Sequence, residues 1–135
     1  MIEILSSKEL GKQIEDLICF YLSRQKLKLI VRNYTCRYGE IDLIMRDKTT
    51  LVFIEVRYRQ NFKFGSSLET VNLAKQNKII KTAEYYLQSH DLFEKISCRF
   101  DVIGVRPNVN YPQQQAFISQ LKQAQVEWIK NAFSR

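Results

Sequence analysis

A chain of 135 residues, 45% hydrophobic and 26% charged, has the size and composition of one globular domain and excludes a disordered or low-complexity protein. Its apolar runs fall far short of the ~20 residues that cross a bilayer, and MIEILSSKEL carries no basic-then-hydrophobic leader, so a cytoplasmic protein with no membrane partner is expected. A formal net charge of +7 and a pI near 9.4 favour a polyanionic partner, because cations that neutralise phosphates release condensed counterions.

The three cysteines, Cys19, Cys36 and Cys98, are odd in number, widely spaced and lack a CxxC pair, so they read as reduced packing residues. The single histidine, His90, leaves no material for a histidine-based metal site or a Ser/His/Asp set. Any chemistry must therefore run on carboxylates.

In chain order, Ser6 with Glu9 forms a capping box, and Leu10, Ile14, Leu17, Ile18, Tyr21 and Leu22 follow at helical spacing, predicting an amphipathic helix over 7–26. A helical wheel puts Glu15 on the edge of the apolar face beside Leu22, whereas Glu9 and Asp16 point away. Gly11 also falls on the apolar side, where it is expected to let the helix approach a sheet closely. Three strands follow, over 28–33, 40–46 and 51–59. The short polar link Asp47-Lys48-Thr49-Thr50 makes the last two an antiparallel hairpin. Ser66 to Asn72 offers caps for a second helix running to about Ser89, with Leu73, Gln76, Ile80, Ala83 and Leu87 on one face and Lys75, Lys78 and Lys81 elsewhere. Residues 97–105 form another strand. Residues 108–115, with Pro112, read as loop, and 116–133 mixes strand and helix signals. No repeat or linker divides the chain, so 1–135 is one domain.

The hairpin brings acids together. Pairing Arg46 with Leu51 fixes a register in which Asp42 faces Glu55 and Glu40 faces Arg57, and the period of two puts all four on one side. Opposed side chains have Cβ atoms ~4.5–5.5 Å apart, and like charges there are destabilising. Mg²⁺ or Mn²⁺ relieves that repulsion, since such ions take one or two carboxylates plus waters and substrate phosphate. An ion-pair network around Arg57 is the structural alternative. It explains less well why Asp42 sits between Ile41 and Leu43, and Glu55 between Ile54 and Val56, where a bare carboxylate is costly.

The strings GEIDLIMRD (39–47), VFIEVRYR (52–59), KQNK (75–78), CRFDV (98–102) and EWIKNAF (127–133), in this order, resemble the YraN family of endonuclease-like proteins over essentially the whole chain. The resemblance implies an α/β, restriction-endonuclease-like fold, similar to Holliday-junction resolvases, with a central mixed sheet flanked by helices. It also implies Glu15 as the acid of the first helix, Asp42 and Glu55 as metal ligands, and Arg57 at the superfamily's lysine position. The chain departs from the superfamily pattern twice: GEID has no proline before the aspartate, and Arg57 stays protonated and cannot act as a general base, though it can orient water or stabilise developing charge.

Gln76 is a candidate for positioning a water or phosphate, as the superfamily's second-helix glutamine does, or is a buried amide bonded to backbone. Asp101, sharing a face with Arg99, reads as a structural ion pair. The cation–aromatic run 57–64, with Arg59 and Lys63, and the helix lysines Lys75, Lys78 and Lys81 are candidate nucleic-acid contacts, or else a loop tucked into the core and a solvated helix face. The expected function is a metal-dependent nuclease acting on DNA, more than on RNA, with branched DNA as one candidate substrate. The alternatives are a nucleic-acid-binding or assembly module with the same fold and no cleavage, and a protein-interaction domain. A homodimer is an option that related resolvases suggest.

Overall fold

The computed structural model describes residues 7–58, 67–106 and 125–135. Helix α1 (Ser7–Arg24) buries Ile14, Ile18 and Leu22, spaced four apart along one stripe. Strands β1 (Lys28–Cys36), β2 (Gly39–Asp47) and β3 (Thr50–Tyr58) form an antiparallel meander. Helix α2 (Leu73–Ser89) leads to β4 (Ser97–Arg106), which lies parallel to β3, and β5 (Gln125–Phe133) closes the sheet antiparallel to β4. The sheet is thus mixed, in the order β1-β2-β3-β4-β5.

Among the described residues each face of the sheet carries one α-helix and one core. Ile14, Ile18 and Leu22 of α1 pack on Leu43, Met45, Val52, Ile54, Ile103 and Val105. On the other side Ile79, Ala83, Tyr86 and Leu87 of α2 pack with Ile44, Leu51, Phe53, Phe100 and Val102. Central strands covered on both faces need apolar residues at successive positions. That is why Leu43 to Met45 and Leu51 to Ile54 are buried without a break.

Several expectations are corrected. The buried face of α2 is Ile79, Thr82, Ala83, Tyr86 and Leu87, one step round from the predicted one, and Leu73 is 70% exposed. The predicted stripe is anchored on Leu73 in the first turn, whereas the aromatic and β-branched residues of the later turns decide which side meets the sheet. A Cβ added at Gly11 would meet nothing within 4 Å, so the close approach expected there is not made. The ambiguous tail resolves into a strand from Gln125, and β1 runs three residues beyond its predicted end. The capping residue Ser6 lies outside the described residues.

Other expectations hold. Asn72 caps α2, its Oδ1 accepting from the Lys75 backbone N–H at 2.9 Å. Asp101, fully buried, accepts from Arg99 Nε at 3.1 Å, Trp128 Nε1 at 3.0 Å and the Asn131 backbone N–H at 2.9 Å, which satisfies its charge and ties β5 to β4. The three cysteines are free and half-buried. No helix of the described residues is long and apolar enough to cross a membrane.

Candidate functional site

The β2–β3 register is the predicted one from Asp47–Thr50 up to Leu43–Ile54. Beyond Leu43 the two strands part: β3 continues against β4 as far as Tyr58, while β2 continues against β1 down to Gly39. The direct pairing of Asp42 with Glu55 is therefore not formed. At the fork the Val56 N–H, which has no strand partner on that side, donates to Asp42 Oδ2 at 2.8 Å. The aspartate carboxylate takes the place of the missing strand.

Side-chain alternation also breaks at this point, which corrects the expectation that Glu40, Asp42, Glu55 and Arg57 share one face. Ile41 and Ile44 both pack in the α2-side core, and on the neighbouring strand so do Val31 and Tyr34. The ladder skips the residues between them, Asn33 and Asp42, and Asn33 has a left-handed backbone with φ 52°. Asn33 hydrogen bonds through its side chain to Glu15 of α1. Val56 and Tyr58 pack toward α1, which turns Glu55 and Arg57 toward α2. Asp42 sits at the fork within reach of the fields of Glu40, Glu55 and Lys75.

Glu55 is 6% exposed, yet three charged groups surround it. Arg57 Nη2 lies 3.5 Å and Lys75 Nζ 3.6 Å from Glu55 Oε1, and Asp42 hydrogen bonds to it. Lys75 sits in the first turn of α2, where a cation opposes the helix dipole, and Glu55 supplies the compensating charge. Burial and then the neighbouring Glu55 push Asp42 up to about 7, against an ordinary value of 3.8. Burial also raises Glu55, partly offset by Lys75 and Arg57. With its carboxyl raised to about 7, Asp42 keeps the metal-free pair partly protonated into the neutral range, and the hydrogen bond between the two carboxyls favours that state.

Glu15 is mostly buried at the edge of α1, as its helical phase predicts, and burial raises its carboxyl, with Asn33 acting against this. Its Oε1 is 3.7 Å from Arg32 Nη2 and accepts no hydrogen bond. Among the described residues no three His, Cys, Asp or Glu side chains lie close enough together to hold a metal ion, so Glu15 joins the pair through its charge rather than as a third adjacent carboxylate. The Gln76 amide donates to the Val71 carbonyl at 2.9 Å, the backbone-bonded of the two options for it. Lys78 and Lys81 are exposed on α2, and Arg59 and Lys63 lie outside the described residues.

Two features of the site are not evident from the sequence. Helix phase groups Lys75 with the exposed lysines, although the β3–α2–β4 crossover carries the first turn of α2 over the carboxyl end of β3, where sites in open α/β sheets form. Asn33 gives only a weak signal, as a residue type that tolerates left-handed backbone within an otherwise apolar strand.

The donor set fits a hard divalent cation. Asp42 and Glu55 repel each other at the fork, and Mg²⁺ or Mn²⁺ needs only one or two carboxylates from the protein.

Among the described residues a mixed five-stranded sheet between two α-helices, with acids where β2 and β3 part, defines a restriction-endonuclease-like α/β domain. The model of "Uncharacterised protein family UPF0102" matches residues 14–105, and the chain belongs to this family, which is the YraN family its motifs resemble. A UPF0102 protein of Coxiella burnetii is 43% identical over 126 residues, covering 93% of this chain and 92% of the relative. One of Psychromonas ingrahamii is 44% identical over 128 residues (95% and 92%), and one of Nitrosococcus oceani 48% over 98 residues (73% and 79%).

Proposed function

We propose that the protein is a metal-dependent phosphodiesterase acting on nucleic acid, DNA before RNA, with Asp42 and Glu55 as the metal-holding carboxylates. The observation that carries this reading is the fork itself: an aspartate fixed by the Val56 N–H against a buried glutamate, with its carboxyl pushed up to about 7. Perturbed acids held against each other in a cleft are a signature of functional sites. When bound, Mg²⁺ or Mn²⁺ supplies a water of lowered pKa and a Lewis-acid contact to a phosphoryl oxygen.

The chain's own residues do the rest. Val56 N–H holds the Asp42 carboxylate in one orientation, and Glu15 adds negative charge behind it. Arg57, whose part-exposed side chain brings Nη2 to 3.5 Å from Glu55, can meet a phosphate oxygen beside the pair and stabilises charge developing there. Lys75, 3.6 Å from Glu55, presents a second cation to the same phosphate from α2. Gln76 steadies the start of α2 and so the position of Lys75.

Cleavage of duplex, single-stranded and four-way DNA with Mg²⁺ or Mn²⁺ tests the proposal, with Asp42→Asn as control. Metal-dependent product from the wild-type chain that the variant fails to make supports the assignment, and equal product from both removes it. A second reading, a nucleic-acid-binding module without cleavage, draws on the two ion pairs to Glu55, which partly compensate its charge without a metal. That reading expects salt-sensitive DNA binding, indifferent to metal and to Asp42→Asn.

A further inference from the structure

Away from the acidic fork, the opposite end of β2 carries a second concentration of charge, of the other sign. Lys26 just before β1, Lys28 at its start, Arg46 near the end of β2 and Lys48 in the turn after it line one cavity of about 380 Å³, within the range of small-ligand sites. All four are exposed, and none forms a salt bridge among the described residues. The nearby acid, Asp47, is committed to Arg99 at 2.9 Å.

Three features describe how the cluster is held. Lys28 and Arg46 are direct partners in the β1–β2 register, so like charges oppose each other on adjacent strands. Lys26 and Lys48 both adopt left-handed backbone, with φ of 73° and 55°, where non-glycine residues are strained. Arg46 is pinned, its Nε donating to the Lys48 carbonyl at 2.9 Å, which leaves its terminal nitrogens free of that bond. Four cations without an ion-pair partner among the described residues, one of them a fixed guanidinium, match a multiply charged oxyanion.

We infer that this cavity is a phosphate-binding site, separate from the acidic fork, which takes a phosphoryl group from either a nucleic-acid backbone or a free phosphate ester. Along β2, Arg46 is four residues and so ~13 Å from Asp42, more than one backbone phosphate away. The site needs no metal and does not depend on cleavage.

The test uses the full chain in EDTA, so that its outcome is independent of the metal assignment. Binding of a labelled 20-bp duplex is measured against salt for wild type, for Lys28→Gln/Arg46→Gln/Lys48→Gln, and for the charge-matched Lys8→Gln/Lys12→Gln/Lys95→Gln. Removing one cation from a DNA phosphate reduces the slope of log K against log salt by about 0.9, so the cavity variant is expected to fall by about 2–3 and the control by less than 1. In parallel, inorganic phosphate and AMP are titrated while the backbone amide resonances of Lys26, Lys28, Arg46 and Lys48 are followed. Reduced duplex slope identifies the nucleic-acid backbone as the source. Saturable shifts abolished in the variant, with unchanged duplex slope, identify a free phosphate ester. If neither readout separates the two variants, the inference is overturned. Should the triple variant fail to fold, Lys48→Asn, which suits the left-handed backbone, carries both readouts, with an expected slope change of about 1 or loss of the phosphate-induced shifts.

Discussion

Replacing Asp42 by Asn should change how stability depends on pH in the metal-free protein. The Asp42 carboxyl is raised to about 7 from an ordinary 3.8, so the folded chain holds a proton that the unfolded chain has released. This contribution is fully present below about pH 4 and is lost as pH rises through 7. Between pH 5 and pH 8 the two pH units below 7, at 1.36 kcal/mol each, correspond to about 2.7 kcal/mol. Partial exposure at the fork reduces the expected loss to about 1–2 kcal/mol. Asparagine keeps an oxygen for the Val56 N–H, which Asp42 accepts at 2.8 Å, and carries no charge to repel Glu55. Urea unfolding in EDTA at pH 5 and pH 8 measures the effect, read from the midpoint at constant slope. Wild type should lose stability toward pH 8, whereas Asp42→Asn should lose less, keeping only the contributions of Glu55 and Glu15, and should exceed wild type there. Parallel losses in both proteins would refute the assignment of the proton to this pair.

Other outcomes follow from the same geometry. Lys75→Ala should tighten Mn²⁺ binding ~2–5-fold in titrations without DNA, by removing a cation 3.6 Å from Glu55, while weakening duplex binding at low salt. Asp101→Ala should cost ~3–5 kcal/mol in urea unfolding, because it strips Arg99, Trp128 and Asn131 of a buried charged acceptor, and should leave the Mn²⁺ affinity of the folded protein unchanged. Gly11→Ala should raise stability by ~0.5–1 kcal/mol, since the space beside Gly11 is open and alanine is the better helix former. A lower unfolding midpoint for that variant would mean that the glycine is needed after all.

The parts of the fold legible in the sequence are those where one strong local signal decides. The Asp47–Thr50 turn sets the β2–β3 register, and Asn72 starts α2. Asp101 is legible as a structural acid because Arg99 shares its face. The fork is not legible. Period-two alternation presumes that paired strands stay paired, whereas β2 pairs with β3 only from Leu43 onward and both β1 and β2 break step at Asn33 and Asp42. That break moves Glu40 away from Arg57, although Asp42 and Glu55 still meet. Lys75 is hidden for a related reason: its environment is set by where the β3–α2–β4 crossover lands, a tertiary fact that helix phase does not contain. Strand β5 is ambiguous in the sequence because its stabilisation comes from β4 and the Asp101 contacts to Trp128 and Asn131 rather than from its own pattern.

Calorimetric titration of the full chain with Mn²⁺ at pH 8 and pH 6 tests the central claim most directly. With a site acid near 7, the deprotonated fraction falls about tenfold between these values, so affinity should fall about tenfold while one site persists. Asp42→Asn and Glu55→Gln should abolish the binding heat. Absence of binding by the wild-type chain at pH 8, or full binding by Asp42→Asn, would contradict a metal centre at the fork.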